Sequence, residues 1–395
     1  MTAWSELAGQ DAAIATIRQA AAAASAGEHG MTHAWLITGP PGSGRSNLAY
    51  AFATELLSID ADETGRDAVR QQVEAGSHPD LTVLKTENVI IKIDDVRRIL
   101  TSSQFSPSVA RYRVMIVEDA DRMTERTSNV LLKALEEPPP RTVWILCAPS
   151  EADLLPTIRS RVRVVRLTTP SVEEVARLLE HRDGVDAERA LRSAREAQSH
   201  IGMARRLATS DDARQRRSET IELALGIRSV SDAVLAAARL LELAKEDGTA
   251  ITEERDAEER DQLLRSLGIE PGGAVPTALR SQLRALEEDQ KRRATRSLRD
   301  GIDRILVDLQ SLFRDVLLLQ LGVDTRLVNE AIRDRLVGAA EQTDAAHSLG
   351  VLDAIALARR RIEGNVAALL ALEAMLTAVL PSQAHPASGR GIAAP

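Results

Sequence analysis

The stretch that decides the fold reads Gly39-Pro40-Pro41-Gly42-Ser43-Gly44-Arg45-Ser46. An apolar run at residues 34–37 precedes it, and a helix-like run at residues 47–53 follows it. A strand, a glycine-rich loop and a helix in this order form the context of a phosphate-binding loop. Glycines let the backbone curl so that several N–H groups point inward, and the start of the helix adds positive potential. The sequence therefore predicts a phosphate site here, in which the Ser46 hydroxyl reaches a phosphate-bound Mg²⁺.

One position departs from this pattern. Arg45 stands where a phosphate-gripping lysine is expected. Its guanidinium is a planar fork, whereas the lysine ammonium is a compact point charge. The loop predicts that phosphate binds, and Arg45 leaves open whether the site hydrolyses a nucleotide. The alternative is an ordinary strand–turn–helix that binds nothing.

The composition predicts a packed soluble protein of two or three domains, with 395 residues, of which 44% are hydrophobic and 27% charged. Only 2% of the residues are aromatic, which argues against base stacking as the main mode of nucleic-acid binding. The net charge of −8 gives no overall field that attracts DNA. Cys147 is the single cysteine, so an internal disulfide and a multi-cysteine zinc site are excluded. The sequence shows neither a signal-peptide pattern nor a membrane-spanning apolar run, and a cytoplasmic protein without membrane contact is expected.

Strand-like and helix-like runs alternate over residues 1–168, with strands expected at 81–84, 113–117, 143–148 and 162–167. Such alternation predicts an α/β domain built on a parallel sheet. A helix is expected at 94–100, with Asp94 or Asp95 as its N-cap. The pattern then changes, because residues 169–209 read as a small module of short helices that starts at Ser171.

Residues 210–381 are predicted to form long helices. Apolar residues recur every three or four positions in the run 284–321, so they share one face of a helix. They are Leu298, Ile302, Ile305, Leu309, Leu312, Val316 and Leu319. A second apolar helix is expected at 362–380, the charge-dense stretch 247–261 is expected to be a solvated helix or loop, and residues 382–395 are expected to be disordered.

Two acids follow the apolar run at residues 114–117, namely Glu118 and Asp119. Nucleotide hydrolases present carboxylates at a strand end in this way, the first supporting Mg²⁺ and the second polarising the attacking water. The order here is Glu then Asp, so the side chain at the position of the base, Asp119, is one methylene shorter than the expected glutamate. Proton abstraction is sensitive to such a difference in reach. The alternative is a solvated strand end.

A third pattern is Asn129-Val130-Leu131-Leu132-Lys133-Ala134-Leu135-Glu136-Glu137-Pro138-Pro139. It resembles the N-x-LLK-x-LEEPP segment of the bacterial clamp-loader subunits within the AAA+ class. Gly9-Gln10 resembles the N-terminal box of that family, residues 156–161 resemble its TIxSRC motif with Val162 in place of the cysteine, and residues 202–208 resemble its second sensor. The resemblance covers residues 1–210 by motif and the remainder only by helical character.

The resemblance implies an AAA+ P-loop domain over 1–168, a helical lid over 169–209 and a helical collar over 210–381. It implies that Arg161 is an arginine finger offered in trans to ATP on a neighbouring subunit, and that Arg205 is the second sensor for the chain's own nucleotide. Within the family, the imperfect loop and the order of the acids are more similar to the subunit that completes the ring than to the motor subunits gamma/tau.

The implied partners are the gamma/tau and delta subunits, the sliding clamp and, within the assembly, primer-template DNA. Lys133, Arg97 and Arg98 are candidate contacts with the DNA backbone. Whether ATP and Mg²⁺ bind at this chain's own site is left open.

Family members usually carry a four-cysteine zinc module between the helix after the phosphate loop and the next strand. Residues 57–79 of this chain contain no cysteine. We therefore expect no zinc, since His78 and Asp80 alone make a poor site.

Three interpretations follow. The chain is a regulatory subunit of the loader with little or no hydrolysis of its own, or an active motor subunit in which Arg45, Glu118 and Asp119 suffice. The third is a Holliday-junction or helicase-type AAA+ motor that acts on DNA directly. The long helical C-terminal region and the LEEPP segment disfavour the third.

Overall fold

The computed structural model describes residues 4, 7–26, 31–86, 90–266 and 280–380. The chain divides into two compact units, with the boundary between Ser210 and Asp211. The predicted tail at 382–395 lies outside the described residues. None of the helices in the described ranges combines the length and the hydropathy that a bilayer span requires.

The first unit is organised by a five-stranded parallel sheet. Its strands are β1 Ala34–Thr38, β2 Leu81–Leu84, β3 Arg113–Val117, β4 Thr142–Ala148 and β5 Arg163–Arg166. The order across the sheet is β2-β3-β4-β1-β5, so β1 lies between β4 and β5. The predicted α/β domain with a parallel sheet is confirmed. The last strand is shorter than the run predicted at 162–167.

Helices connect the strands and cover both faces of the sheet. They are α1 Asp11–Ala26, α2 Arg45–Leu57, α3 Glu63–Glu74, α4 Ile93–Ser103, α5 Glu125–Glu136 and α6 Pro156–Arg159. Trp35 and Ile37 belong to the core formed with α1 and α2, whereas Ala34 and Leu36 belong to the core formed with α4 and α5. Side chains alternate between the two faces of a strand, so a short apolar strand fills both cores.

The segment at 57–79, in which the family carries its zinc module, contains the helix α3. Asp80 follows it, and its carboxylate is fully buried. That carboxylate accepts hydrogen bonds from the backbone N–H groups of Ser108, Val109 and Ala110 at 2.6–2.9 Å, and it pairs with Arg113 at 3.1 Å. Asp80 therefore anchors the loop before β3. Over the described ranges, no cluster of three or more His, Cys, Asp or Glu side chains is arranged to hold a metal ion.

Three short helices complete the first unit: α7 Val172–Asp183, α8 Ala187–Glu196 and α9 Ile201–Thr209. Ser171 caps α7 in a reciprocal arrangement with Glu174. The cap predicted for α4 is wrong. Lys92 precedes that helix, and Asp94 and Asp95 lie in its first turn, where their charge favours the helix dipole.

The second unit is helical in its described residues. Its helices are α10 Asp211–Leu225, α11 Val230–Ser266, α12 Arg280–Gln320, α13 Arg333–Gln342, α14 Ala345–Glu363 and α15 Ala368–Thr377. The predicted apolar face of α12 is buried from Ile302 to Val316, and Leu298 and Leu319 pack against the same core. The charge-dense stretch 247–261 continues the helix α11.

The helix predicted at 362–380 is wrong in its start. Ile362 lies in the last turn of the preceding helix α14, which ends at Glu363, and the chain then turns through Gly364 and Asn365. Asn365 adopts a φ of 65°, a left-handed conformation that interrupts a helix. The apolar spacing continues across this turn, so periodicity alone joined two helices into one.

Candidate functional site

The phosphate-loop candidate lies between β1 and α2. Gly42 and Gly44 have φ values of 78° and 94°, which residues with a Cβ adopt only with strain. Gly44 is the N-cap of α2 and provides no side-chain cap. The first N–H groups of α2 are thus left for another acceptor, the arrangement that binds anions at helix starts. The structure brings together all seven loop residues predicted from the sequence: Gly39, Pro40, Gly42, Ser43, Gly44, Arg45 and Ser46.

The Arg45 side chain folds back onto the loop that precedes it. Its Nη1 donates a hydrogen bond of 2.6 Å to the carbonyl oxygen of Gly39. Ser43 is buried, and its Oγ has no hydrogen-bond partner within the described part of the chain. A phosphate entering the loop must therefore compete with a carbonyl for the Arg45 guanidinium.

Glu118 follows β3 and is 7% exposed. Its Oε2 accepts a hydrogen bond from Ser46 Oγ at 3.2 Å, and its Oε1 accepts one from the Tyr50 hydroxyl at 2.6 Å. Lys85 Nζ lies 3.9 Å from Oε2. The first acid and the loop hydroxyl therefore lie within hydrogen-bond distance of each other. Tyr50 was not predicted as a site residue, although Ser46 and Tyr50 are four residues apart and so share a face of α2.

The pKa of Tyr50 is raised above its ordinary value, first because burial disfavours the phenolate and then because Glu118 accepts its proton in a hydrogen bond and carries negative charge. A raised folded-state pKa stabilises the protein below the ordinary tyrosine pKa of about 10, and this contribution is lost as the pH rises beyond it.

Tyr50→Phe is expected to lower the free energy of unfolding by about 1.5–3 kcal/mol, the usual contribution of a hydrogen bond to a charged group. The difference in free energy of unfolding between wild type and variant is expected to shrink between neutral pH and about pH 11. Over this range Tyr50 ionises in the unfolded wild type but stays protonated in the folded protein, which destabilises the wild type, whereas phenylalanine does not ionise. Denaturant unfolding at both pH values measures this difference. Tyr112→Phe is the matched control, since the Tyr112 hydroxyl makes only a 3.4 Å contact with the Ala24 carbonyl oxygen. Equal losses in both variants would contradict the assignment.

Asp119, the predicted base, adopts a left-handed conformation with φ of 52°. Its Oδ2 lies 3.5 Å from Nε of Arg122 in the turn that follows. Asp121 was not predicted as a site residue. Its pKa is raised, first by burial and then by the charge of Asp119, and its buried Oδ1 has no hydrogen-bond partner among the described residues. The acidic turn thus contains three carboxylates, of which Glu118 bonds to the loop helix.

The start of α9 packs directly on the phosphate loop. The Ile201 N–H donates to the Gly42 carbonyl oxygen at 3.2 Å. A Cβ on Gly42 would lie 2.3 Å from a ring carbon of His200, so only glycine fits there. The His200 Nδ1 accepts from the Met203 N–H and caps α9. Gln198 and Ser199, both with positive φ, lead the chain into this position. His200 was not predicted as a site residue.

Arg205, the predicted second sensor, lies on α9. Its exposed side chain pairs with Asp183 at the end of α7, with Nε 3.0 Å from Oδ1. Its contact with a nucleotide stays a prediction.

Arg161, the predicted arginine finger, lies between α6 and β5. Its side chain is 34% exposed and pairs with Glu136, the last residue of α5, over 2.5 Å. Its Nη1 donates to the Thr157 carbonyl oxygen at 2.7 Å and to Ser160 Oγ at 3.1 Å. The guanidinium therefore lies at the surface, held by groups of its own chain.

The candidate DNA contacts lie on α4 and α5. Arg97 and Arg98 form ion pairs with Asp94 and Asp95 one turn earlier on α4, and Lys133 is exposed on α5. Their contact with the DNA backbone stays a prediction.

A glycine-rich loop after the inner strand β1, an acid at the end of β3 and the strand order β2-β3-β4-β1-β5 define a P-loop domain of the AAA+ type. The family model described as "DNA polymerase III, delta subunit" matches residues 14–171. Over this region the chain is similar to the DNA polymerase III clamp-loader subunits.

Two curated relatives show the extent of the similarity. The delta' subunit of Pseudomonas aeruginosa DNA polymerase III is 37% identical over 134 residues, which are 33% of this chain and 41% of that protein. The gamma subunit of Buchnera aphidicola is 29% identical over 152 residues, which are 38% of this chain and 42% of that protein. The chain thus spans less than half the length of these curated relatives. Subunits named delta', gamma and tau all match, so the similarity does not distinguish their roles.

Among solved structures, a DNA polymerase III gamma subunit-related protein from Thermotoga maritima is 20% identical. The superposition covers 93% of this chain and 98% of the Thermotoga chain, with a TM-score of 0.42.

Proposed function

We propose that this chain is the delta-prime type of clamp-loader subunit, which completes the loader ring and helps place the sliding clamp on primed DNA. It assembles with the gamma/tau and delta subunits and supplies Arg161 in trans to ATP bound by a neighbour. Its own hydrolysis of ATP is weak or absent.

The observation that carries this proposal is that the groups of the phosphate site bond to one another. Arg45 bonds to the Gly39 carbonyl, and both oxygens of Glu118 accept hydrogen bonds, from Ser46 and Tyr50. A hydrolytic site needs its cation directed at the phosphates and its carboxylate directed at Mg²⁺ or water. Here each such arrangement requires an existing contact to be exchanged first.

The residues nevertheless suit Mg²⁺ and a nucleotide chemically. Mg²⁺ prefers oxygen ligands and is usually bound by one or two protein groups together with phosphates and waters. Ser46 and Glu118 would supply those oxygens, and the N–H groups at the start of α2 would hold the phosphates. Bound metal would neutralise phosphate charge. Binding without turnover is therefore compatible with the proposal.

The position of Arg161 supports its role towards a neighbour. The side chain is at the surface, and the segment that carries it is short and held at both ends, by α6 and by the edge strand β5. A guanidinium that is fixed near a transferred phosphoryl group stabilises the charge of its transition state.

An active motor subunit is the second candidate, because Ser46 and Glu118 lie as close as a shared Mg²⁺ requires. ATP turnover by the purified chain separates the two. We expect turnover well below about 1 s⁻¹, the lower end of the rates typical of kinases, together with a stable complex when gamma/tau and delta are added.

Turnover of several per second that Arg45→Ala abolishes would establish the motor instead. Turnover stimulated by DNA without any partner would indicate the Holliday-junction or helicase type. Failure to form a complex with the loader subunits would exclude both clamp-loader roles.

A further inference from the structure

Arg161 and Glu136 come from two motifs that are separated in the sequence and meet in the fold. Glu136 is the first glutamate of the LEEPP segment and the last residue of α5, and Arg161 follows the short helix α6. Their ion pair joins Nη2 and Oε1 at 2.5 Å. The two side chains are 34% and 44% exposed, so both are accessible to a partner.

The hydrogen bonds of Arg161 divide its guanidinium into two sides. Nη1 donates to Thr157 and Ser160, which belong to the same short segment and fix the direction of the side chain. Nη2 carries the ion pair with Glu136. The local contacts orient Arg161, and the carboxylate covers the remaining side, where a phosphate oxygen would otherwise form a charge-assisted bond.

The place of Glu136 explains why it takes a cation. A carboxylate at the last residue of a helix faces the negative end of the helix dipole, and a nearby cation offsets that repulsion. Glu137 follows directly and adds a second negative charge. In the isolated chain, the positive charge of Arg161 offsets this repulsion at the end of α5.

The same pair weakens Arg161 as an arginine finger. A guanidinium acts on a triphosphate through its net positive charge, and a carboxylate in contact with it cancels most of that charge. The triphosphate must therefore displace Glu136, or Glu136 must move away when the subunits meet. A displaced Glu136 has another cation nearby, because Lys133 is exposed three residues earlier on α5, a spacing at which helix side chains are neighbours.

We infer that Glu136 is a counter-ion latch for Arg161: it holds the guanidinium on its own chain until the triphosphate of a neighbouring subunit displaces it. This inference rests on the proposed function of Arg161. Glu136 is a positioning residue, because it acts only through Arg161. An exposed ion pair contributes up to about 1 kcal/mol, so the latch slows hydrolysis at the facing site by up to about five-fold.

The test uses the loader reconstituted with the full chain, gamma/tau and delta, and measures single-turnover hydrolysis of ATP. Glu136→Gln is expected to raise the rate by up to about five-fold. Glu137→Gln is the matched control, since it removes the same charge from the adjacent exposed position and leaves the ion pair intact. Its rate is expected to equal that of the wild type. A Glu136→Gln rate at or below that of the wild type, or an equal rise in Glu137→Gln, would overturn the latch.

A second measurement separates the latch from a structural role of Glu136. In an Arg161→Ala background, Glu136→Gln is expected to leave the rate unchanged, because the latch acts only through the guanidinium. A change in that background would contradict the inference. If Arg161→Ala alone has the wild-type rate, the proposed function fails. If Arg161→Ala is slow and Glu136→Gln is not faster than wild type, only the latch fails.

Discussion

Arg161→Ala is expected to assemble into the loader and to slow ATP hydrolysis at the facing site by about 10³-fold or more, as removal of an arginine finger does in other nucleotide hydrolases. The reason is electrostatic, since alanine supplies no charge to stabilise the developing transition state. Folding is affected little, because the side chain is partly exposed and its ion pair with Glu136 lies at the surface.

Single-turnover hydrolysis by the assembled loader measures this loss, and size-exclusion chromatography checks assembly. Arg159→Ala is the matched control, because Arg159 is exposed two residues earlier on the same segment. Arg161→Lys keeps the charge without the planar fork and should recover only part of the rate. A normal rate in an Arg161→Ala loader, or an equal loss in Arg159→Ala, would remove Arg161 from the mechanism.

Asp80→Ala is expected to lower the free energy of unfolding of the first unit by about 3–5 kcal/mol, the cost of removing one partner from a buried ion pair. Asp80 is fully buried, and Arg113 is also buried. The substitution leaves that guanidinium and three backbone N–H groups without their acceptor. Urea unfolding measures the loss.

Asp94→Ala is the control, since Asp94 forms an exposed pair with Arg97, and such a pair contributes about 0–1 kcal/mol. A comparable loss in the two variants would show that burial of Asp80 is not the cause.

The effect of Asp80 also depends on pH. Burial alone would raise the pKa of Asp80, but the hydrogen bonds from Ala110, Ser108 and Val109 and the charge of Arg113 outweigh it and lower the pKa. A depressed folded-state pKa gives stability that is present above the unfolded value of about 3.9 and is lost as the pH falls through the folded value. The difference in free energy of unfolding between wild type and Asp80→Ala should therefore become smaller at acidic pH.

Much of the first unit could be predicted from local patterns. The glycine loop at residues 39–46, the apolar runs of β3 and β4 and the capping pair of Ser171 and Glu174 each depend on residues close together in the chain. The break between α14 and α15 was missed, because apolar spacing continues through Gly364 and Asn365.

The site was predicted less completely than the fold. Glu118 was identified from its place after a strand, but its hydroxyl partner Tyr50 lies 68 residues away in the chain. His200 reaches Gly42 only because two residues with positive φ direct the start of α9 towards the loop. Propensity and periodicity carry no information about contacts of this separation.

The sequence by itself determined the strand–loop–helix unit, the alternation that builds the parallel sheet and the residue types available for phosphate, because these follow from backbone conformation and side-chain spacing along the chain. Only the tertiary structure decided which of those residues are engaged. Arg45 meets Gly39, Glu118 meets Tyr50 and Arg161 meets Glu136. Such pairings are set by the packing of separate elements, which places distant charges and hydroxyls within bonding distance.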